Sequence, residues 1–194
     1  MEFRLIYQGA LPSSGNANRH PKEKHQIRKQ IHKQLATLWD VHPLLKTLHR
    51  PERTWNKKTF VEEFGHEKYG FNFLALVNER LDQICALDIL LLRREPPGSL
   101  IMQSGDIDNR LKTLFDALSI PDDKSKLTPP ELDENPFFCL MEKDKLVSQV
   151  AVTADRLLSP VVDSEPRNYV HAIIKVKVQI AMEFRWGGLT YYRH

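Results

Sequence analysis

The chain has 194 residues, of which 41% are hydrophobic and 27% are charged, and its formal net charge is +3. These values predict a globular protein with one domain over residues 1–194, and they exclude a disordered chain. The two cysteines, Cys85 and Cys139, are too few for a disulfide framework. No Cys-x-x-Cys or His-Glu-x-x-His spacing occurs, which argues against a zinc site.

The apolar segments of the chain are short. The first residues lack a basic start followed by an apolar run, and the longest apolar run, residues 84–92, is interrupted by Asp88. A run of this length does not span a bilayer. We therefore expect a cytoplasmic protein with reduced cysteines and without a membrane partner.

Residues 1–11 alternate in hydrophobicity, with Phe3, Leu5 and Tyr7 on one face, which predicts a strand. Pro21 then precedes a predicted helix over residues 22–39. The apolar stripe of this helix consists of Ile27, Ile31, Leu35 and Leu38. Its basic residues are Lys22, Lys24, Arg28, Lys29 and Lys33, with His32 among them. A charge run of this kind is typical of the solvated coat of an amphipathic helix, and the alternative is a surface that follows nucleic-acid phosphates.

The middle of the chain alternates between irregular and extended patterns. Residues 40–69 predict irregular structure with a short helix at 60–64. Two strands are predicted over 71–78 and 82–94, with a possible hairpin between them, and residues 84–92 favour a central strand buried on both faces. Further strands are predicted over 146–152 and 169–182, and the second of these alternates strictly, as expected for one solvated face.

The most informative stretch is residues 105–118, Gly-Asp-Ile-Asp-Asn-Arg-Leu-Lys-Thr-Leu-Phe-Asp-Ala-Leu. Its apolar residues recur at helical spacing. Asp106 and Asp108 stand at the start of the predicted helix, and Asp108, Lys112 and Asp116 follow one another at steps of four. Aspartates at a helix start are common N-caps, and a lysine and an aspartate four residues apart often form a surface ion pair. The alternative interpretation is a site for a hard divalent cation, which prefers carboxylate oxygens.

The pattern Asp106-Ile-Asp-Asn-x-x-Lys112-x-x-Phe-Asp116-Ala-Leu resembles the signature of the RusA family of Holliday junction resolvases. The matched core covers about a dozen residues, and the order of the predicted elements around it is similar over most of the chain. The resemblance implies an α+β fold in which a mixed, mostly antiparallel sheet is flanked by two main helices. Residues 41–69 and 119–135 are then insertions, and residues 183–194 form a tail.

The resemblance also implies a third acidic residue directly before a strand. Asp144 matches this position, with Glu142 as its neighbour, while Asp123 is the alternative and has no strand after it. The family often carries several arginines just before its aspartates. In this chain Met102-Gln103-Ser104-Gly105 stands there instead, and Arg93 and Arg94 lie further upstream.

The function implied by the resemblance is a Mg²⁺- or Mn²⁺-dependent endonuclease that cuts four-way DNA junctions and acts as a homodimer. Asp106, Asp108 and Asp144 would be metal ligands, and Lys112 would be the partner of the phosphate or the transition state. Asn109, Asp116 and Glu142 would be supporting residues, with Asp116 holding Lys112. Two alternatives are a non-catalytic nucleic-acid-binding protein on the same scaffold and another metal-dependent phosphodiesterase acting on RNA or nucleotides.

Overall fold

The computed structural model describes residues 1–13, 20–50, 52–55, 57–94, 106–122, 127, 129–159, 166, 168–181, 183–186 and 189–192. The helices in these ranges are α1 (Pro21–Val41), α2 (Pro43–Leu48), α3 (Phe60–Phe64) and α4 (Asp106–Leu118). The strands are β1 (Glu2–Ala10), β2 (Thr54–Trp55), β3 (Lys58–Thr59), β4 (His66–Lys68), β5 (Phe71–Val77), β6 (Gln83–Arg93), β7 (Phe137–Met141), β8 (Val147–Arg156), β9 (Tyr169–Ile180), β10 (Glu183–Trp186) and β11 (Leu189–Tyr192). Single 3₁₀ turns occur at Glu79–Leu81 and Asp144–Leu146. This mixture confirms the predicted α+β class.

The main sheet has four strands in the order β1-β9-β6-β8. β9 runs antiparallel to both β1 and β6, whereas β8 runs parallel to β6. In β9 the residues Val170, Ala172, Ile174 and Val176 are fully buried, and those between them are half-buried or exposed. The prediction of a long strand with one solvated face is therefore confirmed, but it is not the last strand, because β10 and β11 follow it.

The prediction that β6 is buried on both faces is wrong. Cys85, Leu87, Ile89 and Leu91 are buried on one face, but the residues of the other face are half-buried and Asp88 is exposed. β6 lies between two other strands, so its central position in the sheet agrees with the sequence. An apolar run alone does not determine how many layers cover a strand.

The predicted hairpin between residues 71–78 and 82–94 is also wrong. β5 belongs to a separate three-stranded sheet, β4-β5-β7, while β6 belongs to the main sheet. The chain crosses between the two sheets through the turn Glu79–Leu81, where the backbone N–H of Arg80 donates to Oδ1 of Asn78 at 2.9 Å. β7, which pairs parallel to β5, is buried along its whole length.

Helix α1 forms the core contacts that its apolar stripe predicts. Ile27, Ile31 and Leu35 are buried, and Leu38 packs against the same core.

The predicted insertion at 41–69 contains α2, β2, β3, α3 and β4. The predicted helix at 60–64 is confirmed. It begins with a capping box in which the hydroxyl of Thr59 accepts from the backbone of Glu62, and the Glu62 carboxylate accepts from the backbone of Thr59.

The two edges of the main sheet differ. Along the outer edge of β1, Gln34 of α1 accepts the N–H of Ile6 at 2.8 Å and donates to the carbonyl of Ile6 at 2.7 Å. One turn away, Gln30 forms the same pair of bonds with Gln8, at 3.4 and 3.1 Å. Two side chains therefore satisfy backbone groups that an edge strand otherwise leaves unpaired. Among the described residues no side chain of another element covers the outer edge of β8 in this way.

Candidate functional site

Helix α4 begins at Asp106, as the sequence predicts. Leu114, Ala117 and Leu118 are buried, and Leu111 and Phe115 pack against the core. Asp108 and Lys112 are exposed one turn apart on the opposite side of the helix, so the predicted polar face exists. Asn109 is half-buried, and its carbonyl accepts from the hydroxyl of Thr113 at 3.0 Å. The side chain of Asp106 lies outside the described part of the structure.

The first turns of α4 lie at the end of the main sheet where β6 and β8 finish. The guanidinium of Arg110 donates to the carbonyl of Leu11, directly after β1. At the same end of the sheet, Arg93 is paired with Val170, the second residue of β9, and with Arg156, the last residue of β8. Arg110 lies between Asp108 and Lys112 in sequence, so these two exposed residues lie near this end of the main sheet.

The last turn of α4 lies at the opposite end of the sheet. Ser119 forms a bridge with Met141, the last residue of β7, and the N–H of Ile120 donates to the Met141 carbonyl at 3.2 Å. Three residues after Met141, the chain enters the turn Asp144–Leu146, which leads into the first residue of β8. Asp144 is therefore at the end of the sheet where β8 begins.

This arrangement separates the predicted metal ligands within one chain. Helix geometry places position 108 about 12 Å from position 116 along α4, and the ten residues of β8 span about 30 Å. Asp144 lies before the start of β8, whereas Asp106 and Asp108 lie towards its finish. The structure thus does not bring Asp144 to Asp106 and Asp108 in a single chain. The alternative acid, Asp123, lies outside the described residues.

Asp144 instead borders a cleft of about 280 Å³ at the last turn of α4. The predicted site residues in its lining are Lys24, Arg28, Asp116, Glu142 and Asp144, and Pro21, Ser119, Ile120, Pro121, Asp122, Leu127, Lys143 and Lys145 complete it. Asp108 and Lys112 are not among these residues. The cleft combines opposite charges, so it does not have the uniform negative potential that concentrates cations.

Asp116 is bound from α1. The ammonium of Lys24 lies 2.7 Å from Oδ2 of Asp116, and the guanidinium of Arg28 donates to the carbonyl of Asp116 at 2.7 Å and to that of Ser119 at 3.4 Å. The expectation that Asp116 holds Lys112 is not reflected in these contacts, because its carboxylate faces Lys24. Asp116 thus joins α4 to α1.

The basic residues of α1 have different environments. Lys22 and Lys33 are exposed, as a solvated coat requires, but Lys24, Arg28 and His32 are buried. The interpretation of the whole run as a solvated coat is therefore wrong for these three. Their polar ends have partners inside the fold, which the sequence pattern does not reveal.

Residues 131–134 of the predicted insertion pack on the same helix. Lys29 lies 2.5 Å from a carboxylate oxygen of Glu131 and 3.0 Å from one of Glu134, and these acids raise the pKa of Lys29. His32 accepts the N–H of Phe138 at Nδ1, at 2.9 Å. Its Nε2 therefore carries the proton and donates to the carbonyl of Asp133 at 3.1 Å. These acids could not be recognised from the sequence, because their role depends on where the insertion lies.

Glu142 is held by contacts within the fold. One of its carboxylate oxygens accepts the backbone N–H of Glu79 at 3.1 Å, and the other lies 3.4 Å from Nε2 of His66. The backbone N–H of Glu142 donates to the carbonyl of Val77 at 3.0 Å. The residue thus connects the end of β7 to β4 and to the turn after β5.

Within the described residues, no group of three or more His, Cys, Asp or Glu side chains is arranged to hold a metal ion. Asp108 alone provides a described, exposed carboxylate at the start of α4. Its chemistry suits a hard divalent cation. A complete ligand set would therefore need the carboxylate of Asp106 and at least one further donor.

Comparison with known proteins gives no relative: the chain matches no family model, no curated protein and no solved structure. In the described ranges, no helix has both the length and the apolar composition needed to cross a membrane.

Proposed function

We propose that this chain is a divalent-metal-dependent endonuclease that cuts four-way DNA junctions, as its resemblance to the RusA family implies. The observation that carries the proposal is the arrangement of the first two turns of α4. Asp106 begins the helix, and Asp108 and Lys112 stand exposed one turn apart at the end of the sheet. A carboxylate and an ammonium that face solvent in this arrangement are accessible to a phosphodiester and its cation.

Asp106 and Asp108 would hold Mg²⁺ or Mn²⁺, because both ions prefer carboxylate oxygens and keep water ligands. When bound, such an ion polarises a phosphate and lowers the pKa of an attacking water. Lys112, one helical turn from Asp108, would neutralise charge on the phosphate oxygens. Asn109 stabilises the first turns of the helix through the bond from Thr113 to its carbonyl.

The substrate contact would be electrostatic. Lys22 and Lys33 are the exposed basic residues of α1 among those predicted to contact phosphates, whereas Lys24, Arg28 and Lys29 have acidic or carbonyl partners within the chain. We therefore assign DNA contact on α1 first to Lys22 and Lys33. Replacing both by alanine should weaken binding of any DNA and reduce its dependence on salt concentration.

The test is cleavage of a labelled four-way junction, beside linear duplex, single strands and RNA, with Mg²⁺, with Mn²⁺ and with EDTA. Asp108→Asn should abolish metal-dependent nicking, and Lys112→Ala should reduce it by roughly two to three orders of magnitude. Asp40→Asn is the matched control, because Asp40 is also an exposed helical carboxylate but lies on α1. Nicking that persists in Asp108→Asn, or that ignores EDTA, would reject the proposal.

A second test identifies the third acid. Asp144→Asn and Asp123→Asn should be compared under the same conditions, since only one of them matches the position that the resemblance requires. Loss of cleavage in Asp144→Asn alone would support Asp144. Loss of cleavage in Asp123→Asn alone would assign the role of the third acid to Asp123, in the predicted insertion at 119–135.

The alternative is a nucleic-acid-binding protein without catalytic activity. It is favoured by the separation of Asp144 from the start of α4 within one chain. Such a protein would bind junction DNA with unchanged affinity in Asp108→Asn and would cleave nothing in either metal. Hydrolysis of RNA or nucleotides, but not of branched DNA, would instead indicate another phosphodiesterase.

A further inference from the structure

The cleft of about 280 Å³ lies at the last turn of α4, away from the exposed pair Asp108 and Lys112. Its walls are the beginning of α1, the end of α4 and the turn that precedes β8. Cavities that hold small molecules usually have volumes of about 300 Å³ or more. The cleft therefore has room for one compact ligand, and it is separate from the proposed metal site.

Three charged side chains around the cleft have partners outside its lining. Asp122 lies 3.6 Å from the ammonium of Lys68, and Lys145 contacts the carboxylate of Glu79. Glu142 accepts the backbone N–H of Glu79 and does not face the cleft alone. The charges of these three residues are thus compensated by groups of the fold, and they do not determine which ligand the cleft attracts.

Arg28 brings a positive charge to the inner wall of the cleft. Its exposure is 5%, and its described contacts are the carbonyls of Asp116 and Ser119, with no carboxylate among them. These two bonds satisfy the end of α4 and use two of the five N–H donors of a guanidinium. Lys24 already neutralises the carboxylate of Asp116. The charge of Arg28 is therefore buried without an acidic partner of its own, and a bound anion would compensate it.

Ser119 provides a donor beside this charge. Its exposure is 8%, it lines the cleft, and its hydroxyl has no hydrogen-bond partner in the described part of the chain. Nε of Arg28 donates to the carbonyl of Ser119 at 3.4 Å, so the guanidinium and this serine are neighbours. A buried hydroxyl without a partner is costly. A ligand with several acceptor oxygens would satisfy both groups.

The beginning of α1 adds a third source of positive potential. Pro21, the first residue of this 21-residue helix, lines the cleft, and the residue before it, His20, forms no side-chain cap. The first N–H groups of a helix lack intrahelical partners and favour anions. Glu23, the acid of this first turn, lies 3.7 Å from His20 and is not part of the cleft lining. The inner wall of the cleft is thus suited to a phosphate group.

The remaining lining has a different chemistry. Ile120 and Pro121 contribute an apolar wall, and Asp144 is exposed at the mouth of the cleft. We propose that the cleft binds a nucleoside monophosphate, with its phosphate on Arg28 and Ser119. The base lies against the apolar wall, and the hydroxyls of the sugar donate to Asp144. A ligand of this size fits the cleft, and its binding does not depend on the proposed nuclease function.

The proposal is tested by isothermal titration calorimetry of the full chain, in EDTA, with each of the common nucleoside 5′-monophosphates. At least one should bind with a stoichiometry of one per chain. The corresponding nucleoside should bind at least about tenfold more weakly, because it lacks the charged acceptor group. Inorganic phosphate should compete with the nucleotide. Absence of binding at millimolar concentrations, or equal binding of nucleotide and nucleoside, would overturn the proposal.

Variants test the residues that hold the phosphate. Ser119→Ala should weaken nucleotide binding by about tenfold and leave the urea denaturation midpoint close to that of the wild type. Arg28→Lys keeps the charge but loses the planar fork, and it should also bind more weakly. Ser148→Ala, at an exposed position of β8, is the matched control and should bind as the wild type does. Unchanged affinity in Ser119→Ala would overturn the site, and this variant decides even if Arg28→Lys does not fold.

The position of the ligand is tested by NMR spectroscopy. The nucleotide should shift the backbone amide resonances of Glu23 and Ser119, and it should leave that of Lys46, exposed on α2, in place. Shifts confined to residues outside the cleft would overturn the assignment.

A 5′-phosphorylated dinucleotide distinguishes a free nucleotide from the end of a strand. It should bind no more tightly than the mononucleotide, because the cleft holds one nucleotide. Binding that is about tenfold tighter would identify a strand as the ligand and overturn the assignment to a free nucleotide. Cleavage is not measured in any of these experiments, so failure of the nuclease proposal and failure of this one are distinguishable.

Discussion

Nζ of Lys24 lies 2.7 Å from Oδ2 of Asp116, and this contact joins the first turns of α1 to the last turn of α4. Lys24 is almost completely buried, whereas the side chain of Asp116 retains 28% of its exposure. Arg28 adds a bond to the carbonyl of the same aspartate. Lys24 and Arg28 thus hold α4, the helix that carries the candidate site, although the sequence of α1 predicts a solvated surface there.

We expect Lys24→Met to lower the free energy of unfolding by about 1–3 kcal/mol, because Asp116 would lose its partner at a half-buried position. Lys22→Met, two positions earlier and exposed, is the control and should change stability by less than about 0.5 kcal/mol. Urea denaturation of the two variants provides the measurement. Equal effects would mean that the ion pair contributes nothing to stability.

The fold could be predicted from the sequence where periodicity was long. The stripe of α1, the alternation of β9 and the helix at α4 each fix which face is buried, and all three are confirmed. The division into two sheets could not be predicted. β5 and β6 are both apolar and adjacent in sequence. β5 lies in the other sheet because it pairs with β7, a strand that follows α4 in the chain.

The candidate site was predictable only in part. The motif placed Asp106 and Asp108 at a helix start, which the structure confirms for the backbone. It did not predict the partner of Asp116, because that depends on how α1 and α4 meet. The placement of Asp144 follows from the parallel pairing of β6 and β8, a long-range property that short motifs do not encode.

His25 provides a prediction of pH dependence. It is buried beside the rings of Phe71 and Phe137, and burial, with the nearby charges of Arg28 and Lys29, lowers its pKa from 6.5 to about 4. Between these values the unfolded chain binds a proton that the folded chain does not. His25 therefore leaves the free energy of unfolding unchanged above pH 6.5 and lowers it as the pH falls towards 4, by up to roughly 3 kcal/mol.

His25→Phe should remove this contribution. The difference in free energy of unfolding between the variant and the wild type should move in favour of the variant as the pH falls from 7 to 4.5. Urea denaturation at a series of pH values measures it. Parallel curves for the two proteins would show that His25 does not contribute to the pH dependence.

The two cysteines should be unreactive in the folded protein. Burial raises the pKa of Cys85 to about 11 and that of Cys139 to about 12, and neither side chain is accessible. At pH 8 both are thiols, and the thiolate is the reactive form. Titration with an aromatic disulfide should detect no thiol in buffer and two in urea. Rapid reaction of either thiol in buffer would indicate local opening of β6 or β7.

Gln34 should protect the edge of β1. Gln34→Ala removes both bonds to the backbone of Ile6, and because this edge faces solvent, water replaces part of what is lost. We expect a decrease in stability of about 0.5–1.5 kcal/mol and faster hydrogen exchange of the Ile6 amide. Gln26→Ala, an exposed glutamine of the same helix, is the matched control. The variant should also self-associate more than the wild type, since β1 would then present a second uncovered edge. Unchanged exchange at Ile6 would mean that the two glutamine bonds do not persist in solution.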